Sequence, residues 1–289
     1  MAMANSKLAR EGLPSELAMD QVIQGDARAL SGQLQALREK LFPPEAKKTL
    51  RRFSSSEAAR LIGVTDSYLR HLAALGEGPT VDKTARGRLS YSLEQIHAVR
   101  AHLAKAKPSY LPNRTGIEHL QTIAVTNFKG GSGKTTTAAH LSQYLALRGY
   151  RVLAIDLDPQ SSLSALLGYQ PETDVGENET LYGALRYDDQ RRSLREVAKH
   201  TYFPGLDIVP GNLELQEFEH ETPRMLAGQR RSGQEVFFAR VASAIQSVAE
   251  TYDVVVIDCP PQLGFLTLGA LCAATGVLVP LVLDLAVNL

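Results

Sequence analysis

The chain has 289 residues, zero formal net charge at pH 7, and 44% hydrophobic against 21% charged residues. These proportions are ordinary for a soluble globular protein, with length for one large α/β domain and one or two small ones. No apolar run is long enough to span a bilayer, and residues 1–17 lack the apolar core of a signal peptide, so a cytoplasmic location is expected. The two cysteines, Cys259 and Cys272, have no other cysteine or histidine cluster around them, which argues against a zinc site or a disulfide framework.

Zero net charge hides an asymmetry. Residues 1–112 hold 17 Lys and Arg against 11 Asp and Glu, and the remainder holds 14 against 20. A basic front part suits a phosphate-binding surface. In chain order, Leu30, Leu34, Leu37 and Leu41 form one apolar stripe on a helix that Pro43–Pro44 should stop. Fewer than two heptads cannot specify a coiled coil, so the stripe is either a dimer seam or a face packed within its own segment, residues 1–50.

A basic run, Lys47, Lys48, Arg51 and Arg52, opens the next part, residues 51–112. Serines and Glu57 then precede Ala58, Ala59, Leu61 and Ile62, the pattern of a capped short helix. Gly63 should break it, and Thr65 or Asp66 should cap a second helix carrying Tyr68, Leu69 and Leu72. Helix, glycine turn and helix over roughly twenty residues is the helix-turn-helix pattern. The stretch Lys83–Tyr91 reads as a hairpin with Arg86, Gly87 and Arg88 near its tip, followed by a helix over Leu93–Lys105 and a linker over Lys107–Asn113.

From residue 113 onward, strands alternate with helices. Thr122–Asn127, Arg151–Asp156, Leu206–Pro210, Val254–Asp258 and Gly276–Val282 are the expected strands, and Val236–Glu250 is helical in pattern. Continuous apolar strands separated by helices imply a parallel sheet covered on both faces, an α/β doubly wound arrangement.

Lys129-Gly130-Gly131-Ser132-Gly133-Lys134-Thr135-Thr136 lies between a strand and a helix, the context that makes a glycine loop credible as a phosphate cradle. Glycines allow the tight turn, and the following helix adds its positive N-terminal dipole. Lys134 is placed to neutralise β/γ-phosphate oxygens and the Thr135 hydroxyl to ligate Mg²⁺. The common G-x-x-x-x-G-K-[ST] pattern is not met, because its first glycine falls on Phe128. Asp156, Asp158 and Asp258 all sit at strand ends, so their carboxylates should converge on the phosphates, an arrangement that needs a bridging cation.

The glycine loop, Asp156-Leu157-Asp158-Pro159-Gln160, and Val254–Asp258 followed by Cys-Pro-Pro occur in the order found in the ParA/MinD family of deviant Walker ATPases, which residues 120–285 resemble. The resemblance implies a P-loop NTPase fold and an ATPase working with ATP and Mg²⁺ as a sandwich homodimer. It makes Lys129 the signature lysine that reaches the partner's nucleotide, and Asp158 the group that orients the attacking water. It makes Asp258 the holder of the metal through water, and Asp156 a support of the metal shell. It also implies further strands beyond Leu289, so the sheet is expected to be incomplete at that end.

Residues 53–105 resemble a MerR-like winged helix-turn-helix, the module that precedes the ATPase in large partition proteins of the repABC plasmid type. The resemblance places Ser67, Tyr68, Arg70 and His71 on a recognition helix in the major groove. Arg86 and Arg88 are then on a wing against phosphates or the minor groove. The implied function is a plasmid or chromosome partitioning ATPase associated with the nucleoid, autoregulating its operon, with a ParB-like centromere-binding partner and no membrane. Two alternatives stay open: a nucleotide-binding repressor with vestigial turnover, and a positioning ATPase that does not bind DNA.

Overall fold

A computed structural model describes residues 19–41, 48–112, 119–228 and 235–281. The chain forms two compact units, residues 1–47 and 48–289. In the first, helix α1 spans Met19–Leu41, with Leu30, Leu34 and Leu37 all more than half exposed. The side chain of Leu41 and the residues Pro43–Pro44 lie outside the described residues.

The second unit opens with strand β1 (Phe53–Ser54) and helix α2 (Ser55–Ile62). Ser54 caps α2: its hydroxyl accepts from Glu57 N, while the Glu57 carboxylate accepts from Ser54 N at 2.8 Å. This capping box satisfies orphan donors of the first turn in both directions. Gly63 ends α2 at φ +90°, donating to Ala59 O, a left-handed cap that a glycine adopts without a Cβ penalty. Helix α3 (Asp66–Leu75) follows, with the Thr65 hydroxyl accepting from Tyr68 N at 3.2 Å. Strands β2 (Asp82–Lys83) and β3 (Leu89–Tyr91) form the wing, in a three-stranded antiparallel sheet of order β1-β3-β2. Helix α4 (Leu93–Ala104) closes the module over a core of Phe53, Ile62, Leu69, Leu72, Tyr91 and Ile96. Within the stretch expected to be a linker, Pro108–Tyr110 forms a turn of 3-10 helix, and Tyr110 packs on the core.

The remaining strands are β4 (Gln121–Val125), β5 (Val152–Asp156), β6 (Lys199–His200), β7 (Leu206–Val209), β8 (Val254–Asp258) and β9 (Gly276–Leu278). They make one sheet in the order β6-β7-β5-β8-β4-β9, parallel except for the β6–β7 pair. The short antiparallel β6 had no signal in the apolar pattern, since Lys199 and His200 carry no apolar side chain. Strand β9 stops at Leu278, before the expected Val282, and Pro280 follows two residues later without an amide to donate.

Every residue of β5 and β8 is buried, because alternate side chains enter two different cores. Leu153, Ile155, Val255 and Ile257 pack with the helices Phe237–Gln246 and Phe265–Ala273. Val152, Ala154, Val254 and Val256 pack with helix α5 (Lys134–Leu147). That second core is continuous with Phe53, Leu69, Ile96 and Val99 of the winged module. The module is therefore built onto one face of the sheet rather than strung from it.

Glu57 tests the α2 cap. Its backbone hydrogen bond to Ser54, reinforced by the Arg51 guanidinium, holds its pKa down at about 2. A depressed carboxylate stabilises the fold above its unfolded value and loses that contribution as pH falls through the folded value. Glu57→Gln, which removes the titrating charge and keeps an acceptor for the Ser54 amide, should destabilise the fold at neutral pH, and the difference from the parent should shrink between about pH 4.5 and 2. Urea unfolding across that range measures it, and a pH-independent difference would refute the cap's role.

Candidate nucleotide site

Strand register assembles the site. Asp156 lies opposite Asp258 across the β5–β8 ladder, and Asp258 lies opposite Val125 at the end of β4. Parallel strands present their carboxyl ends to one edge of the sheet, where ligands of such folds bind. The chain leaving β4 runs straight into the phosphate loop.

Gly131 (φ +73°) and Gly133 (φ +83°) take left-handed conformations there, which leaves the loop amides room to turn inward. Gly133 is the N-cap of α5 and no side chain caps that terminus, so its first-turn amides suit an anion. Lys134 is 7% exposed and its ammonium donates to Lys129 O at 3.4 Å. The Lys129 side chain is exposed, as are Gly130, Gly131, Gly133 and Thr136, while Ser132 is buried and Thr135 half-buried. Asn127 lies outside the motif and braces the loop. Its carbonyl oxygen accepts from Lys129 N at 2.8 Å, and its amide donates to Pro280 O at 2.7 Å.

Asp258 is 1% exposed, and neither carboxylate oxygen has a hydrogen-bond partner. Burial pushes its pKa up to about 7. The nearby Thr135 hydroxyl lowers it without closing to hydrogen-bond contact, Asp156 and Asp158 add to the rise, and Lys134 opposes it. A buried carboxylate without a donor, beside a threonine hydroxyl and a lysine, matches a hard cation that prefers oxygen ligands. The residues therefore fit magnesium with a phosphate ester.

Asp156 is placed differently. Its Oδ2 accepts from Ser164 N at 2.8 Å and from the Ser164 hydroxyl at 2.7 Å, and its Oδ1 accepts from Asp158 N at 3.2 Å. Burial raises its pKa to about 6 against these hydrogen bonds. Ser164 in turn accepts from Gly211 N at 2.9 Å. A Cβ on Gly211 would stand 3.0 Å from Asp156 O. Asp156 thus ties β5 to helix α6 (Ser162–Leu167) and to the segment after β7. Asp158 is half-exposed, its carboxylate accepting from Gln160 N at 2.9 Å. Ser161 ends that turn in a left-handed conformation (φ 56°), the kind of local strain that gathers at functional loops. Asn127, Ser164 and Gly211 belong to no motif of the sequence, and only the folded chain brings them to the site.

The candidate DNA-contacting residues are separate from this edge. Ser67, Tyr68, Arg70 and His71 are exposed on α3, with Arg70 paired to Asp66 one turn earlier. Arg86 and Arg88 are exposed in the wing turn, where Gly87 (φ +72°) donates to Thr84 O. No helix among the described residues is long and apolar enough to cross a membrane.

Fold and site together define a P-loop nucleotide-binding protein, and residues 120–288 match the AAA domain family. The chain belongs to the ParA/MinD-type branch of these ATPases. It is 55% identical over 280 residues to a Rhizobium rhizogenes protein provisionally named replication protein A, covering 96% of this chain and 69% of that one. It is 35% identical over 246 residues to SopA of Escherichia coli K12, covering 82% of this chain and 60% of SopA. A solved partition protein aligns with a TM-score of 0.59 at 22% identity, over 89% of this chain and 70% of that one; this likeness speaks to fold alone.

The unpartnered Asp258 carboxylate predicts a trade of stability for ligand. A carboxylate raised from its ordinary value of about 4 penalises the fold increasingly until pH passes its folded pKa. Asp258→Asn should therefore stabilise the ligand-free protein by roughly 1–3 kcal/mol above pH 7. The gain should fade toward pH 4. Parallel urea-unfolding profiles of variant and parent against pH would overturn this account.

Proposed function

We propose that this chain is a partition ATPase that takes ATP and Mg²⁺ between two copies of itself and binds DNA through its winged module. The observation that carries the reading is the joining, in one compact unit, of a phosphate loop facing an unpartnered buried carboxylate and an exposed helix-turn-helix with a basic wing. The names of its relatives, replication protein A and SopA, point the same way.

In this function the loop amides of Gly130–Thr136 and the Lys134 ammonium hold the phosphates, and the Thr135 hydroxyl and Asp258 hold the metal. Magnesium, when bound, supplies positive charge that offsets the phosphates and the clustered carboxylates. Asp158, on its strained turn, orients the attacking water. Asp156 supports the metal shell indirectly, by fixing the path of the chain from β5 into α6. Lys129 is exposed at the mouth of the loop, as a lysine must be to reach a nucleotide held by a second copy, where its charge would stabilise the transferring phosphoryl group.

On the DNA side, Ser67, Tyr68, Arg70 and His71 face the major groove, and Arg86 and Arg88 hold the flanking backbone. The protein represses its own operon through this module, binds nucleoid DNA without sequence preference as the ATP dimer, and is released when a ParB-like centromere-binding partner stimulates hydrolysis.

Lys134→Ala should weaken nucleotide binding about a hundredfold or more. Lys129→Ala should bind ADP like the parent yet lose hydrolysis. Fluorescent-ADP titration and phosphate release separate the two, and equal turnover by Lys129→Ala and the parent would remove the cross-dimer role. Binding to a duplex carrying the operon's own promoter and to random duplex, each with ADP and with ATP, tests the cycle as a whole. One nucleotide should favour the promoter and the other random DNA. Arg86→Ala and Arg88→Ala should each lower the salt dependence of binding by about one phosphate contact. Binding indifferent to nucleotide would instead leave a repressor with a structural ligand.

A further inference from the structure

Arg100 of α4 is 4% exposed, and its guanidinium meets three main-chain carbonyls: Leu61 O, Tyr110 O at 3.5 Å and Leu147 O at 3.4 Å. Each carbonyl lies at a helix C-terminus. Leu61 is in the last turn of α2, Tyr110 ends the 3-10 turn, and Leu147 ends α5. Helix C-termini present unpaired carbonyls and the negative end of the helix dipole, so converging helix ends here do the work of a counter-ion. Burial, with Arg148 nearby, lowers the Arg100 pKa to about 10, which leaves the guanidinium charged at neutral pH.

Neighbouring contacts reinforce the joint. One turn earlier on α4, His97 Nε2 donates to Ala146 O of α5 at 2.9 Å. Two glycines of the ATPase part make room for this grip. A Cβ on Gly149 would stand 3.2 Å from Arg100 Cδ, and one on Gly205 would stand 3.0 Å from His97 Cε1. At the other end of the module, Lys48 donates to Ala165 O at 2.7 Å and to Leu166 O at 3.1 Å, in the last turn of α6.

The gripped helices are the ones that leave the nucleotide site. Helix α5 begins at Lys134 in the phosphate loop, and α6 carries the Ser164 that holds Asp156. Across its 14 residues, α5 forms a continuous rod about 21 Å long. Phosphates would sit at its N-terminus, and Arg100 and His97 sit at its C-terminus. Through Leu61, the same guanidinium also holds the first helix of the helix-turn-helix.

We infer that Arg100, with His97, is a positioning residue that couples occupancy of the phosphate loop to the helix-turn-helix, with α5 as the connecting rod. The coupling rests on the nucleotide reading above. Ordering of the loop steadies α5, and the shared guanidinium passes that order to α2 and α4.

Amide hydrogen exchange on the full chain, with and without magnesium ADP, tests it. Ligand should slow exchange at residues 129–136 and also slow α2 and α4 by about threefold or more. Protection of the loop with no change in α2 and α4 would overturn the coupling while leaving nucleotide binding intact. No protection anywhere would overturn the nucleotide reading and this inference with it. Arg100→Met keeps the aliphatic stem and removes the fork; in it the loop response should persist and the α2 response disappear. A role confined to stability would lower its melting temperature and leave the α2 response in place, which would also overturn the proposal. Should Arg100→Met not fold, His97→Gln, which keeps a donor for Ala146 O, should retain the α4 response that His97→Leu loses. An equal response in both would count against the joint.

Discussion

The alignment of Asp156 with Asp258 across two fully buried strands is the constraint on which the ATPase part depends. Parallel pairing in this register delivers carboxylates side by side at the edge of the sheet, in a setting where neither is readily solvated. The chain resolves the conflict in two ways. Asp156 is satisfied internally by Ser164 and the Asp158 amide. Asp258 is left without a donor, and under the proposed function a cation would offset the cost of its burial.

From that division, roles follow that identical residue types would not suggest. Asp156 behaves as an architectural carboxylate, gathering β5, α6 and the segment at Gly211 around one hydrogen-bonded serine. Asp258 keeps both oxygens free of hydrogen bonds, as the proposed metal site requires. The pKa of Asp156 near 6 and that of Asp258 near 7 share burial as their main cause, but hydrogen bonds hold the first of them lower. Around them the loop glycines and the uncapped N-terminus of α5 supply the opposite polarity, so the edge of the sheet pairs anion-seeking and cation-seeking groups.

The winged module is joined to this edge from behind. It shares a core with one face of the sheet and closes its polar contacts on the C-termini of α5 and α6. A buried guanidinium is costly unless acceptors meet its fork; both terminal nitrogens of Arg100 reach carbonyls, while its Nε has no partner. That demand fixes the position of α4 relative to the phosphate-loop helix. The exposed surfaces of α3 and the wing are thereby carried on the same framework as the nucleotide site.

Much of this was legible in the residue order. Glycines at Gly63, Gly87, Gly131 and Gly133 mark turns by backbone freedom, and the apolar runs of β5 and β8 mark buried parallel strands. The order of the glycine loop, Asp156–Asp158 and Asp258 named the family, because local motifs act through backbone geometry that neighbouring residues dictate. What the order could not disclose were groups whose partners are distant along the chain. Ser164 meets Gly211, Asn127 meets Pro280, and Arg100 meets Leu61 and Leu147 only once the sheet and its helices have packed. Arg100 counted in the sequence toward a basic front part; folding instead buried it against helix ends, because buried carbonyls need donors wherever the chain places them. Residue order carried the capped helix pair, the long buried strands, the phosphate loop and the family, since those rest on local conformation and spacing, but not the short β6 or the 3-10 turn at Pro108–Tyr110. Tertiary packing decided which carboxylate is satisfied, which has no donor, and how the winged module is fastened to the nucleotide site, because those depend on partners distant along the chain.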